Sequence, residues 1–258
     1  MPTDWNSQAA LCVEALGTEG FAETLANGLR SVIPYEFTVI FGYIGKDRPL
    51  ALFDDFTPER RKLHVDDYLE GPYLIDPFFL ASIGDTPQGI WRLKEIAPDR
   101  FYQGEYYRSY YVQTGLAEEV GFLIDVDSEL QIVLSLMRTE KKFTKTEMRV
   151  LSEIQPVVEA LCRRHWSSID RSGSNNTSDI LNQKVADAFN TIGDGALTER
   201  EGQIVELTLR GHSSEAIGRL LSIAPGTVRI HRRNVYSKLR INSQGELFSL
   251  FLDTIGAG

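Results

Sequence analysis

Apolar residues recur at two spacings along the chain, and each switch between them marks an element. Helical spacing covers residues 8–33 in two pieces: Ala10, Leu11, Val13 and Leu16, then Phe21, Leu25, Leu29 and Val32. The pieces break around Gly17 and Gly20, and Pro34 ends the second. Phe37 to Ile44 is β-branched and aromatic, and a short link leads to Pro49–Phe53, which predicts an antiparallel hairpin. Thr57-Pro58-Glu59 caps a helix running to about Glu70, and a loop-rich stretch with Tyr73, Asp76, Pro77 and Trp91 follows. Pro98 is expected to open a helix that ends at Gly115 and carries Phe101, Tyr102, Tyr106, Tyr107, Tyr110 and Tyr111. Ala117–Ile124 and Leu130–Arg138 read as two further strands. Thr144 and Glu147 then form a capping box for a long helix with Leu151, Ile154, Val158 and Leu161, in which Pro156 is expected to introduce a kink.

The order of helices, hairpin, helix, hairpin and long helix predicts an α/β sensor domain, an antiparallel sheet sandwiched by helices in the PAS/GAF-like manner. Residues 1–165 form this domain, residues 166–178 a polar Ser/Asn/Gly-rich linker, and residues 179–258 a second, all-α domain of four helices. A helix from Asp179 to about Thr191 is expected to lead into it.

The second domain has its own punctuation. Thr198 and Glu201 form another capping box, Ile204, Val205, Leu207 and Leu209 give an apolar face, and Gly211 is placed to stop the helix. Ser213 caps a short helix with Ile217, Leu220 and Leu221. Ser222-Ile223-Ala224 then turns into a helix that opens at Pro225. Two short helices joined in this way form a helix-turn-helix, whose second helix enters the major groove of DNA.

Charge strengthens that reading. Residues 224–240 hold five Lys/Arg and no Asp or Glu, in a chain of net charge −9. Residues 195–258 carry eight Lys/Arg against six Asp/Glu, a net +2, which leaves −11 on residues 1–194. A basic helix front offsets phosphate repulsion, while an acidic body discourages indiscriminate adhesion to DNA. The bland alternative is a small bundle with a solvated basic face.

Leu197-Thr198-x-Arg200-Glu201, Gly211-x-Ser213, Ile217, Leu220, Thr227-Val228-Arg229-x-His231 and Lys238-Leu239 together resemble the LuxR/GerE-type DNA-binding domain over about the last 60 residues. The resemblance implies that Arg229, Ile230 and Arg233 face bases, while Thr227, Arg232 and Lys238 hold phosphates. It also implies a fourth helix, Ser243–Leu252, that helps to dimerise. The chain departs from the family at Ser214-Glu215-Ala216-Ile217-Gly218, usually Asn-Lys-Glu-Ile-Ala, and at Ala224, usually a Ser or Thr cap.

Tyr73-Leu-Ile-Asp76-Pro77, with Trp91 fifteen residues after Asp76, resembles the ligand pocket of LuxR-type autoinducer receptors. The resemblance implies that Asp76 accepts a hydrogen bond from a ligand amide and that Trp91 walls the pocket, with Tyr68 and Tyr73 as further ligand-binding residues. The alternative makes Asp76 a helix cap and Trp91 a packing aromatic. Autoinducer receptors also carry a Trp in the preceding helix; here that place falls near Leu63, and residues 58–70 contain no Trp. The implied effector is therefore not a standard acyl-homoserine lactone, and the chain looks like a "solo" receptor. The tyrosines at 102–111 are either further donors or ordinary core and surface aromatics. An acidic, Tyr-rich first domain also suggests a cationic amine as ligand.

Other functions find little support. The four histidines are scattered, with neither His nor Cys at metal-ligand spacing, so no metal or cofactor is expected. Nucleophile-elbow and P-loop patterns are missing, which argues against an enzyme. Asp54-Asp55 superficially resembles a receiver's acidic pair, but receivers need parallel strands. Cys12 and Cys162 read as buried free thiols, and no apolar run approaches the roughly 20 residues of a membrane span. The expectation is a cytoplasmic transcription regulator acting as a homodimer. Its partners would be double-stranded DNA and a small-molecule effector, with RNA polymerase a compatible further one and no membrane involved. The long-helix stripe of Leu151, Ile154, Val158 and Leu161 is expected to supply part of the dimer contact. The alternatives are an acyl-homoserine lactone quorum-sensing receptor and a ligand-independent dimeric DNA-binding protein.

Overall fold

The computed structural model describes residues 5–45, 47–169 and 197–256. Two helices open the chain, α1 (Trp5–Glu14) and α2 (Phe21–Val32), and Gly17 between them takes a left-handed φ of 77°. Strands β1 (Phe37–Ile44), β2 (Leu50–Asp54), β3 (Gly89–Arg92), β4 (Glu118–Asp125) and β5 (Leu130–Arg138) form one antiparallel sheet in the order β2-β1-β5-β4-β3. The two predicted hairpins are thus joined through β1 and β5. The receiver alternative falls, because Asp54 and Asp55 are held by Arg61 and Arg30 beside an antiparallel sheet.

Strand alternation divides the side chains between two layers. Ile40, Val120, Phe122, Ile124, Ile132, Leu134 and Leu136 face α1, α2 and α7 (Lys145–Trp166). The whole stripe of Leu151, Ile154, Val158 and Leu161 is buried in this layer, so none of it is left to pair two chains. That corrects the sequence expectation. The sheet needs more helix surface than two short helices provide, and α7 supplies it. Cys12 and Cys162 are buried free thiols in the same layer.

Val39, Phe41, Tyr43, Leu123, Val133 and Met137 face the other way, onto residues 56–115. Here the chain makes short pieces. A helix over α3 (Pro58–Arg61) continues through a π turn at Lys62–Asp66 into α4 (Asp67–Leu69). A 3-10 turn at Pro72–Ile75 precedes α5 (Pro77–Ser82), and α6 (Leu93–Ile96) follows β3. The expected continuous helix from Pro98 to Gly115 is instead a chain of turns: 3-10 at Phe101–Gln103, π at Tyr106–Tyr110 and 3-10 at Tyr111–Thr114. Gly104 separates the first two with an extended backbone, and Gly115 ends the run at φ 69°. Five tyrosines in ten positions cannot all face one side of a regular helix, and the turns let several of them converge.

Among the described residues the first helix of the second domain is α8 (Glu199–Leu209), capped as predicted by the reciprocal Thr198–Glu201 box. Ser213 caps α9 (Ser214–Leu220) by accepting from the Ala216 N–H at 3.0 Å. The recognition helix is α10 (Pro225–Leu239), and α11 (Gln244–Gly256) closes the domain. Ile204, Ile217 and Val228 form the centre of the helix-turn-helix. The helix expected at 179–191 lies outside the described residues.

The domains touch through residues 98–105. The Arg100 N–H donates to the Gly211 carbonyl at 3.0 Å, and Asp99 accepts from the Ser213 N–H at 3.0 Å. Gly211, at φ 94°, lies so close to Phe101 that an added Cβ would sit 3.0 Å from its Cα. Glycine is needed there twice over, for conformation and for space.

Candidate DNA-binding face and ligand cavity

On α10, Val228 and Val235 are buried against the domain, which turns Arg229, Ile230, Arg233 and Asn234 outward. Ile230 is 51% exposed on this face. Thr227 and Arg232 are half-buried at the margins, and the Arg232 guanidinium lies 6.0 Å from the Tyr236 ring centroid. Arg229 is tied to Glu215 across the turn at 2.5 Å in an exposed pair that water and DNA phosphates can readily exchange. Lys238 differs from the phosphate-contact expectation. Its Nζ lies 2.6 Å from Oε2 of Glu201, a buried carboxylate held below its ordinary pKa by Lys238 and Thr198. In this structure the lysine ties the recognition helix to α8. Ala224 makes no side-chain cap, and Pro225 at the first turn is the remaining start signal.

The sheet face of the first domain holds a small cavity of about 40 Å³. Its floor is Val39, Phe41, Tyr43, Glu119, Val133, Ser135 and Met137, and its roof is His64, Tyr68, Asp76, Phe78, Tyr106, Tyr110 and Tyr111. Gly121 on β4 makes room for the roof, since a Cβ there would overlap the Phe78 ring.

Asp76 caps a helix, as one of the two sequence alternatives has it, and also lines the cavity. Its Oδ1 accepts from the Phe78 and Phe79 N–H groups at 2.8 and 3.2 Å, capping α5. Its Oδ2 accepts from the Tyr106 hydroxyl at 3.0 Å at the cavity. Burial pushes its pKa up to about 6 despite those three bonds. Tyr68 also lines the cavity and shares a hydrogen bond with Tyr43, O to O 3.1 Å.

Tyr73 and Trp91 are not brought to the cavity. Tyr73 is buried beside it, its ring 5.2 Å from that of Phe79 and 6.2 Å from that of Tyr68. Trp91 lies on the short edge strand β3, half-buried, with its indole N–H donating to the Pro87 carbonyl at 2.9 Å. The sequence missed β3 because four residues carry too little alternation to be read as a strand.

Sequence reasoning also missed Glu119 and His64. Glu119 is buried, and burial first, then the Asp76 charge, pushes its pKa up to about 8. The signal was present as Glu118-Glu119, two adjacent acids inside a strand. Alternation sends them to opposite faces: Glu118 meets Arg92 at 2.5 Å, whereas Glu119 enters the cavity, where Tyr111 donates to it at 3.3 Å. His64 stacks on Phe56 with centroids 4.3 Å apart, and burial holds its pKa down at about 4. Of the tyrosines at 102–111, Tyr106, Tyr110 and Tyr111 reach the cavity, while Tyr102 is 47% exposed. No group of His, Cys, Asp and Glu among the described residues could hold a metal ion. No helix among them is long and apolar enough to cross a membrane.

A helix-turn-helix with an outward basic helix, attached to a sheet domain with a cavity lined by buried acids and tyrosines, defines a two-domain transcription regulator. The profile of bacterial regulatory proteins, luxR family, matches residues 195–251. A putative HTH-type transcriptional regulator in the exeN 3′ region of Aeromonas salmonicida is 38% identical over 184 residues, 69% of this chain and 93% of that protein. The chain belongs to the luxR family of bacterial regulatory proteins. It is also similar to the monoamine regulon transcriptional regulator of Klebsiella aerogenes, 25% identical over 74% of this chain and 77% of that one. Among solved structures, the ligand-binding (LBD) domain of VqsR from Pseudomonas aeruginosa superposes with a TM-score of 0.56 at 26% identity. The match covers 64% of this chain and 98% of that chain.

Proposed function

We propose that the chain is a homodimeric regulator whose grip on an operator is set by a small molecule bound in the cavity around Asp76. In this reading residues 1–165 sense, residues 166–178 link, and residues 179–258 bind DNA. Arg229, Ile230 and Arg233 read bases, while Thr227 and Arg232 hold phosphates. The observation that carries the reading is a cavity lined by Asp76, Glu119 and His64 in the domain attached to the helix-turn-helix. Buried polar groups cost free energy unless paired, and a cavity that concentrates them is built for an occupant.

The effector is not a standard acyl-homoserine lactone, because position 63 holds Leu, which has no side-chain donor for a lactone carbonyl. The Klebsiella relative's name refers to a monoamine regulon, which makes an amine a candidate class for this chain as well. Melting temperature and operator affinity, each measured across a small-molecule panel with wild type and Asp76→Asn, test the reading. Asn keeps the α5 cap while removing the charge. A compound that stabilises wild type, shifts its DNA affinity and fails on Asp76→Asn is the expected result. Specific DNA binding that no compound alters would favour the ligand-independent dimer.

A further inference from the structure

We propose that the cavity takes a compact organic ammonium ion, with Glu119 and Asp76 as its paired counter-ions. The inference rests on the reading above that the cavity is the effector site, and adds the ligand's charge and a residue that recognises it.

The chain pairs its other buried or half-buried acids with cations: Glu118 meets Arg92, Glu147 meets Arg138, Glu159 meets Arg163, Glu201 meets Lys238, and Asp54 meets Arg61. Asp76 and Glu119 are among the most deeply buried carboxyls, yet neither has a Lys or Arg partner among the described residues, and neither Lys nor Arg lines the cavity. Burying two such groups without a cation is unfavourable. The Asp76 charge raises the cost of ionising Glu119. The hydrogen bonds they accept from Tyr106 and Tyr111 soften that cost without neutralising it.

A second, independent feature points to a ligand that donates hydrogen bonds. His64 is 7% exposed, lines the cavity, and its Nε2 has no hydrogen-bond partner among the described residues. Burial keeps the ring neutral, and a neutral imidazole carries one nitrogen lone pair that a ligand N–H can satisfy. The tyrosine hydroxyls nearby are already engaged: Tyr43 with Tyr68, Tyr106 with Asp76, Tyr110 with the Leu63 carbonyl and Tyr111 with Glu119. The cavity thus lacks a positive charge and a donor. An alkylammonium group supplies both, and the tyrosine rings around it offer their negative faces to a cation. An anionic ligand would meet two carboxyls, and a neutral lactone would leave Asp76 without a counter-ion and Glu119 protonated, whereas an ammonium ion favours the ionised form of both.

The test uses the full chain and four probes: tyramine, 4-ethylphenol, N-acetyltyramine and butanoyl-homoserine lactone. The first two share a skeleton and differ by the ammonium group; the third keeps the nitrogen and removes its charge. Melting shifts and calorimetric titrations are recorded for wild type, Glu119→Gln and Asp76→Asn. Tyramine is expected to stabilise wild type, the neutral probes are not, and Glu119→Gln should weaken tyramine by about thirtyfold or more. Asp76→Asn provides the same comparison with the α5 cap retained. Equal stabilisation by 4-ethylphenol or N-acetyltyramine, or a wild-type tyramine response in Glu119→Gln, would overturn the proposal. If a neutral probe binds and Asp76→Asn weakens it, the effector-site reading stands while the cation proposal fails. Binding of none of the four overturns the cation proposal and leaves the effector-site reading to the wider panel.

Discussion

The carboxylate of Asp99 in the first domain accepts a hydrogen bond from the backbone N–H of Ser213, the residue that caps α9 of the helix-turn-helix. One residue on, the Arg100 N–H donates to the Gly211 carbonyl. These contacts belong to the segment whose later residues Tyr106, Tyr110 and Tyr111 line the cavity. A segment that borders the cavity at one end and the DNA-binding domain at the other has the means of transmitting strain between them. A ligand changes DNA affinity only through a difference in free energy between arrangements, and this contact is a physical element that can carry such a difference.

The first prediction follows from that contact. Asp99→Ala removes the acceptor and should cost about 1 kcal/mol of stability, the usual net value of one hydrogen bond. Hydrogen exchange offers the direct measurement. The Ser213 amide should lose protection in the variant while the amides of β5 keep theirs. Unchanged protection at Ser213 would show that the contact does not hold the domains together in solution.

On the DNA side, Arg233→Ala should cost about 1–3 kcal/mol on the operator and relax sequence preference. Arg232→Ala should weaken all sequences alike and flatten the salt dependence by about one counter-ion. Lys238→Ala should behave differently from both, because its partner Glu201 is buried. Its main effect should be a lower melting temperature of the DNA-binding domain. Binding titrations at several salt concentrations, set beside thermal melts, separate the three behaviours.

Glu119 also makes stability depend on pH. Its pKa is raised to about 8 from an ordinary 4.5, so the folded state holds a proton that the unfolded state has lost. Its contribution is therefore present below about pH 4.5 and is lost as pH rises through 8. Asp76, raised to about 6 from 3.8, acts in the same direction at lower pH. His64, lowered to about 4 from 6.5, opposes both below pH 6.5. The window from about 6.5 to 8 is the one in which Glu119 acts unopposed by His64. Melting temperature should fall across that window in wild type and less so in Glu119→Gln, which should be the more stable protein at pH 8.

How much of this was legible in the sequence depends on how local the causes are. Thr198, Glu201, Gly211, Ser213 and Pro225 each act within one turn of their own position, and the helix-turn-helix they punctuate formed as read. The longer strands were legible because alternation over eight or nine residues is unambiguous. Trp91 was misplaced because β3 has only four residues. Residues 98–115 read as one helix because tyrosines at spacings of three and four match helical period, whereas their packing is decided by a sheet distant in sequence. Glu119 was hidden for the same reason: which face of β4 meets the cavity is set by its pairing with β5, and not by β4 alone.

Gly121 offers a test of the cavity's construction. Any side chain there overlaps the Phe78 ring, so Gly121→Ala must push Phe78 and α5 away from the sheet. Overpacking of this kind costs about 1–3 kcal/mol. The shift would also move Asp76, which caps the same helix, so both stability and tyramine binding should fall. A variant that keeps wild-type affinity would mean that Phe78 can move without disturbing Asp76.

The last prediction concerns the lactones. In this chain the helix before Asp76 presents Leu63, whose carbonyl already accepts from Tyr110 at 2.6 Å, and its neighbour His64 occupies the cavity edge. Leu63 has no side-chain donor for a lactone carbonyl, and a buried acceptor without its donor costs about 1–3 kcal/mol. A long acyl tail would also have to open a cavity of about 40 Å³ against a close-packed roof. Unmodified acyl-homoserine lactones of increasing chain length should therefore shift the melting temperature little, with the longest no better than the shortest. Leu63→Trp supplies the missing indole N–H, and should improve short lactones before long ones if the donor is the limiting term. Strong, length-dependent stabilisation of wild type would show that the roof opens readily and that Tyr68 or His64 stands in for the tryptophan.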